Sequence, residues 1–208
     1  MNDVFFYGDI HGNVDILGRN INKNDNPDAI HIQVGDFGFG FFDVTDLDDL
    51  NDISETYKHR LMIIRGNHDS PEHIKKHQNY VEDGRIEIIN NKKFMFVGGA
   101  NSIYKQRWPD EELSEKEFDK ILDKYEKEKP DVMVTHDCPS FASYQMFTLQ
   151  GLAPYIPDAQ SITRKYLSKM HLIHSPEQWF FGHWHHTVAM ELNGTLFQCI
   201  GYNEYLKM

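Results

Sequence analysis

Five apolar runs along the chain end in the same kind of residue. VFFYGDIHG (4–12), HIQVGDFG (31–38), LMIIRGNHD (61–69), VMVTHD (132–137) and WFFGHWHH (179–186) each pass from hydrophobic positions into Gly, Asp, Asn or His. Short apolar runs bounded by glycine and turn residues read as buried strands. Between the first of them lie stretches with helical spacing. VDILGRNINKN (14–24) carries an apolar stripe, TDLDDLNDISETYK (45–58) sets Leu47, Leu50, Ile53 and Tyr57 on one face, and Pro71 opens a helix through about Tyr80. Strands alternating with helices predict an α/β architecture.

Further along, RIEIIN (85–90) and KFMFVGGA (93–100) read as a hairpin joined across Asn90–Lys92. Ser114 and Glu117 form a capping box at the head of a helix over 114–129, which Pro130 ends. HTVAMEL (186–192) and TLFQCI (195–200) make a second hairpin, turning at Asn193–Gly194. Residues 138–160 hold several aromatics, three prolines and little periodicity, which suits a functional lid or plain packing. The sequence contains no internal repeat, linker or low-complexity segment, so 1–208 reads as one domain.

Composition narrows the class. A chain of 208 residues, 40% hydrophobic and 25% charged, is long enough for its own core and ordinary for a soluble globular protein. No apolar run approaches the roughly 18–20 residues of a membrane span. MNDVFFYGD lacks a basic leader and reads as a first strand rather than a signal peptide. Cys138 and Cys199 lie far apart and suggest free thiols in a reducing cytoplasm. The net charge of −11 opposes long nucleic acid and anionic membranes as partners. Any attraction for an anionic substrate must therefore be local, and bound cations are the obvious source.

Such cations have candidate ligands. In open α/β sheets the carboxyl ends of the strands share an edge, and ligands bind there. Seven oxygen and imidazole donors stand at such ends: Asp9, His11, Asp36, Asn67, His136, His183 and His185. Asp9 with His11, and His183 with His185, are two residues apart, so each pair points one way from extended backbone. Individually the motifs are ambiguous: an Asp-x-His pair is often just hydrogen bonded, and GDFG is often just a turn. GNHD (66–69) is more specific, with an amide oxygen beside a histidine beside an acid.

Taken in order, GDIHG, GDFG, GNHD, an isolated His136 and GHWH resemble the metallophosphoesterase superfamily, the calcineurin-like phosphoesterases. The resemblance covers most of the chain. It implies a four-layer α/β/β/α sandwich with two mixed β-sheets and a site for two divalent ions. One ion would take Asp9, His11, Asp36 and His185, the other Asp36, Asn67, His136 and His183, with Asp36 bridging. Mixed nitrogen and oxygen ligands suit Mn²⁺, Fe or Zn²⁺ better than Mg²⁺ or Ca²⁺, and family members often work with Mn²⁺. The implied reaction is hydrolysis of a phosphomonoester or phosphodiester by a metal-bridging hydroxide. His68 would face the leaving-group oxygen without binding metal, and Asp69 would orient His68.

Two departures bear on the substrate. Protein Ser/Thr phosphatases of the family carry GD-x-x-DRG and GNHE, where this chain has GDFGFG and GNHD. These departures weaken a protein-phosphatase reading and favour the broader phosphoesterase branch. A small phosphorylated substrate is expected, with small phosphodiesters such as cyclic nucleotides, nucleotides, RNA ends and phosphoproteins all open. Arg65, Lys105 and Arg107 are candidate phosphate-binding cations, while Cys138 and His186 suit packing or supporting roles. A non-catalytic binding module on the same fold would have lost ligands or His68, and none is missing. A metallo-β-lactamase-like hydrolase would need an HxHxDH run, which the sequence lacks.

Overall fold

The computed structural model describes residues 2–40, 52–53, 55–57, 60–102, 106, 108–153 and 160–208. The predicted helix over 45–58 and the candidate cations Lys105 and Arg107 lie wholly or largely outside these. The first unit is β1 (Val4–Tyr7), α1 (Val14–Asn24), β2 (Ile30–Gln33) and β3 (Leu61–Ile63). β1, β2 and β3 pair in parallel, and β10 (Tyr205–Lys207) closes the sheet antiparallel to β1. A second sheet runs in the order β4 (Ile86–Ile89), β5 (Lys92–Val97), β6 (Val132–Thr135), β7 (Gln178–Phe181), β9 (Thr195–Cys199) and β8 (Val188–Leu192). Its four central strands are parallel and its two edge strands antiparallel.

Strand periodicity explains how these sheets stack. In β1, Val4 and Phe6 point one way into a core shared with Phe94, Phe96, Val132, Val134 and Phe180 of the second sheet. Phe5 and Tyr7 point the other way, onto Val14, Leu17 and Ile21 of α1. In the second sheet Met95, Met133, Trp179 and Phe197 face away from the first, onto α3 (Glu115–Glu128) and α5 (Ile162–Ile173) through Phe118, Ile121, Leu167 and Met170. Strands buried on both faces read as continuous apolar runs rather than alternating ones. The result is helix, sheet, sheet and helix in four layers. Phe6 and Phe180 stack across the middle with ring centroids 3.8 Å apart.

Local signals worked well where the chemistry was local. Ser114 accepts from the Glu117 amide while Glu117 reaches back to the Ser114 N–H, completing the capping box. Asn193 and Gly194 both take positive φ, which suits a two-residue hairpin turn. In the first hairpin the turn residues are Asn90 and Asn91, so β5 begins at Lys92 rather than Lys93.

Two expectations change. The helix opened by Pro71, α2 (Pro71–Ile74), lasts only four residues and gives way to turns before Tyr80. Residues 140–148 are helical: α4 (Ser140–Ser143) runs into a π-helical turn (Tyr144–Thr148) that buries Ala142, Met146 and Phe147. This part of 138–160 is packing, and 154–159 lies outside the described residues. α5 and β10 carry no sequence motif. Among the described residues no helix is long and apolar enough to cross a membrane.

The inter-sheet layer should dominate stability. Phe180→Ala is expected to lower the unfolding free energy by ~3–5 kcal/mol, against about 1 kcal/mol for Ser114→Ala, read from urea midpoints. A Phe180→Ala loss no larger than that of Ser114→Ala would contradict this ranking.

Candidate metal centre

Because β1–β2–β3 and β5–β6–β7–β9 are each parallel, the ends of their strands lie along one edge of each sheet. The stacking brings the two edges together. All seven predicted donors meet there, and they fall into two groups around Asp36.

On one side, His185 Nε2 lies 3.1 Å and His11 Nε2 3.9 Å from Asp9 Oδ2. The two imidazole nitrogens are 3.0 Å apart, and His11 Nε2 is 3.8 Å from Asp36 Oδ2. On the other side, His136 Nε2 and His183 Nδ1 each lie 3.0 Å from Asn67 Oδ1, and His136 Nε2 is 3.3 Å from Asp36 Oδ1. Asp36 is buried between the groups with one oxygen toward each. His68 Nδ1 is 3.3 Å from Asp36 Oδ2 and also from His11 Nδ1.

Backbone geometry pushes these side chains inward. His11, Asp36, His183 and His185 all adopt positive φ, at 44°, 52°, 66° and 59°. Such a conformation costs an L-residue with a Cβ roughly 1–2 kcal/mol, and persists where the surroundings enforce it. The motifs also interlock. A Cβ on Gly66 would strike Asp36 Oδ1, and one on Gly35 would strike the His136 ring. Asp9 Oδ1 accepts from the His183 amide at 2.9 Å, and Asp36 Oδ1 from the His68 amide at 2.8 Å. Each carboxylate thus holds another motif's backbone with one oxygen.

The donor set fits a cation. His136 Nδ1 lies 2.8 Å from the Val34 carbonyl, which can only accept, so Nδ1 carries a proton. The Nε2 position of the ring is then turned toward two oxygen acceptors. Asp9 Oδ2 is also buried, without a well-formed hydrogen bond. Lone pairs facing lone pairs need a proton or a metal ion between them. Two carboxylates, an amide oxygen and four imidazoles form the mixed set that suits a first-row divalent ion.

The electrostatics follow. Burial penalises the Asp36 charge, yet the imidazoles of His136, His68 and His11 hold its carboxyl well below the usual range. Burial also disfavours charge on His136, but Asp36 overrides it and raises the ring to about 10. In the metal-free protein a proton on His136 thus takes the place of a cation. His183 is pushed down to about 4, mainly by burial. Burial likewise lowers His11, whereas the contact with Asp9 raises His185.

The role expected for Asp69 needs correcting. Its carboxylate accepts from the amides of Phe37 (3.2 Å), Gly38 (2.6 Å), Phe39 (3.0 Å) and Gly66 (2.8 Å). Four N–H groups take its four lone-pair directions, so Asp69 fastens the second motif's loop to the third. Asp36 is the acid that faces the His68 ring. Arg65 is equally structural: its buried guanidinium meets Asp83 at 3.1 Å and the carbonyls of Asp110 and Glu111. Cys138 lies in the core, as expected for packing.

Two supports escaped the sequence reading. Trp184 stacks on Phe147 with centroids 4.6 Å apart and donates to Asp137 Oδ1 at 3.0 Å, fixing the segment between His183 and His185. Tyr202 sets its half-exposed ring against His11 and His185, at 5.7 and 5.6 Å between centroids. It follows Gly201 at the end of β9, so an apolar run ending in glycine was present there too.

The two-sheet sandwich thus carries a cluster of candidate metal ligands at its strand ends. The calcineurin-like phosphoesterase family model matches residues 3–187, and the chain belongs to that family. No curated protein matches the sequence. Among solved structures, TT1561 of Thermus thermophilus is 11% identical, with 97% of this chain and 90% of that one covered and a TM-score of 0.63. The phosphopantetheinyl hydrolase PptH of Mycobacterium tuberculosis is 11% identical over 97% and 90%, with a TM-score of 0.56. GAP50 of Plasmodium, an anchor in the inner membrane complex, is 12% identical over 98% and 73%, also at 0.56. A hydrolase and an anchor thus resemble this chain equally, and at such identities the likeness is one of fold.

Asp69→Ala leaves four buried amides without an acceptor and should lower the stability of the metal-free protein by at least ~3 kcal/mol in chemical denaturation. Unchanged stability with impaired turnover would instead return Asp69 to the His68 imidazole.

Proposed function

We propose that this protein is a dinuclear metal-dependent phosphoesterase that hydrolyses a small phosphomonoester or phosphodiester. The observation that carries the reading is the confrontation of lone-pair donors on both sides of Asp36, with His136 Nε2 facing Asn67 Oδ1 and Asp36 Oδ1. Asp9, His11, Asp36 and His185 would hold one ion, and Asp36, Asn67, His136 and His183 the other. Mn²⁺ is the ion we favour. Ions bound there would polarise the phosphoryl oxygens and lower the pKa of water at the site.

The chain's own residues supply the rest. Asp36 offers one oxygen to each group and, through its second oxygen, holds the His68 ring. The His68 side chain is 30% exposed. It is therefore both anchored to the centre and open to a substrate, as a group passing a proton to the leaving-group oxygen must be. With a net charge of −11, phosphate capture falls to the bound cations rather than to a basic surface. Two buried free cysteines accord with a cytoplasmic protein.

The test is an assay of Mn²⁺-loaded protein against p-nitrophenyl phosphate and bis-p-nitrophenyl phosphate. Hydrolysis of at least one is expected, and the preferred one distinguishes monoesterase from diesterase. Inactivity on both with metal verified as bound would refute catalysis. His68→Ala should lower kcat by roughly 10²–10⁴-fold with metal content intact; a parallel loss of metal would make His68 a ligand.

A further inference from the structure

Asn67 can serve the centre only if its amide faces the right way. One side of the group is an oxygen that can meet a cation, and the other is an NH₂ that repels one. We propose that Ser102 and Glu111, which belong to no motif, form a positioning relay that fixes the amide with its oxygen toward the metal centre. The proposal rests on the phosphoesterase reading in so far as that centre binds divalent ions.

The relay is directional at each step. Glu111, 1% exposed, accepts from both the amide and the hydroxyl of Ser102, each at 2.8 Å. A serine hydroxyl has one proton, and here it points at Glu111. The Ser102 oxygen therefore turns its lone pairs to Asn67, and Asn67 Nδ2 donates to it at 3.0 Å. With the NH₂ committed to Ser102, Oδ1 stands 3.0 Å from both His136 Nε2 and His183 Nδ1. The carboxylate sets the hydroxyl, and the hydroxyl sets the amide.

The relay matters because only one of the two amide orientations leaves the centre open to a cation. A flipped Asn67 would turn its NH₂ toward His136 Nε2 and His183 Nδ1 and bar a cation from that side of the centre. In the flipped state its oxygen would face the Ser102 lone pairs, which Glu111 prevents from turning away. Glu111 is itself held in place by the third motif, since Arg65 Nη1 donates to its carbonyl at 2.9 Å. Trp108 Nε1, from the same stretch, donates to the His68 carbonyl at 3.2 Å. Ser102, Trp108 and Glu111 thus grip Asn67 and His68 from outside the five motifs.

The experiment is Mn²⁺ titration calorimetry of metal-stripped wild type, Ser102→Ala, Ser102→Thr and Glu111→Gln, with thermal unfolding of each metal-free protein. Ser102→Ala should bind Mn²⁺ roughly 10–100-fold more weakly, the range for lost support behind a metal ligand. Its metal-free melting temperature should stay near that of wild type. Ser102→Thr, which keeps the hydroxyl, should restore wild-type affinity. Glu111→Gln, whose NH₂ meets the Ser102 donors, should weaken binding as Ser102→Ala does, and it keeps the test open should Ser102→Ala fail to fold. Wild-type affinity in Ser102→Ala, or equal weakening in Ser102→Thr, overturns the relay and leaves the phosphoesterase reading standing. Failure of wild type itself to bind Mn²⁺ overturns both.

Discussion

A buried carboxylate with one oxygen turned to each of two imidazole clusters is the constraint on which this structure depends. Asp36 is buried, takes a left-handed φ of 52° and is sterically hemmed in by Gly66. An isolated charge in that position would be expelled or neutralised. It remains because His136, His11 and His68 converge on it, and each of those rings comes from a different strand end. The parallel register of both sheets, the stacking of their inner faces and the strained turns after the strands all serve this convergence.

Acids with little or no exposure do much of the holding. Asp69 gathers four amides from two loops, Asp83 takes Arg65 and the Gly98 amide, and Glu111 takes both donors of Ser102. Carboxylates suit this task because each oxygen accepts along two directions and an ionised group forms stronger bonds. The chain's acidic balance is therefore not only a surface property. Part of it is turned inward, where it rigidifies loops that present the candidate metal ligands.

The likeness to PptH and to GAP50 at the same TM-score shows how little the sandwich alone says about activity. The side chains say more: seven candidate donors meet at one edge, and His68 is anchored to Asp36 yet open. Tyr202, set against His11 and His185, lies where it can influence what approaches them.

What the sequence determined by itself is whatever depends on neighbours along the chain. Apolar runs ending in Gly, Asp, Asn or His located the strand ends and the seven candidate donors that meet there, because strand burial and turn chemistry are local. The Asn193–Gly194 turn and the Ser114–Glu117 cap were legible for the same reason. Helix α2 ended early, and residues 140–148 became helical, because packing overrode a weak local signal. Tertiary structure alone decided that Asp69 meets four amides rather than His68, that Arg65 is buried against Asp83, and that Ser102 and Glu111 stand behind Asn67. The partners of a buried polar group are set by how two sheets stack and which loops cross their edge. Those contacts join residues far apart in the chain, and no periodicity along it records them.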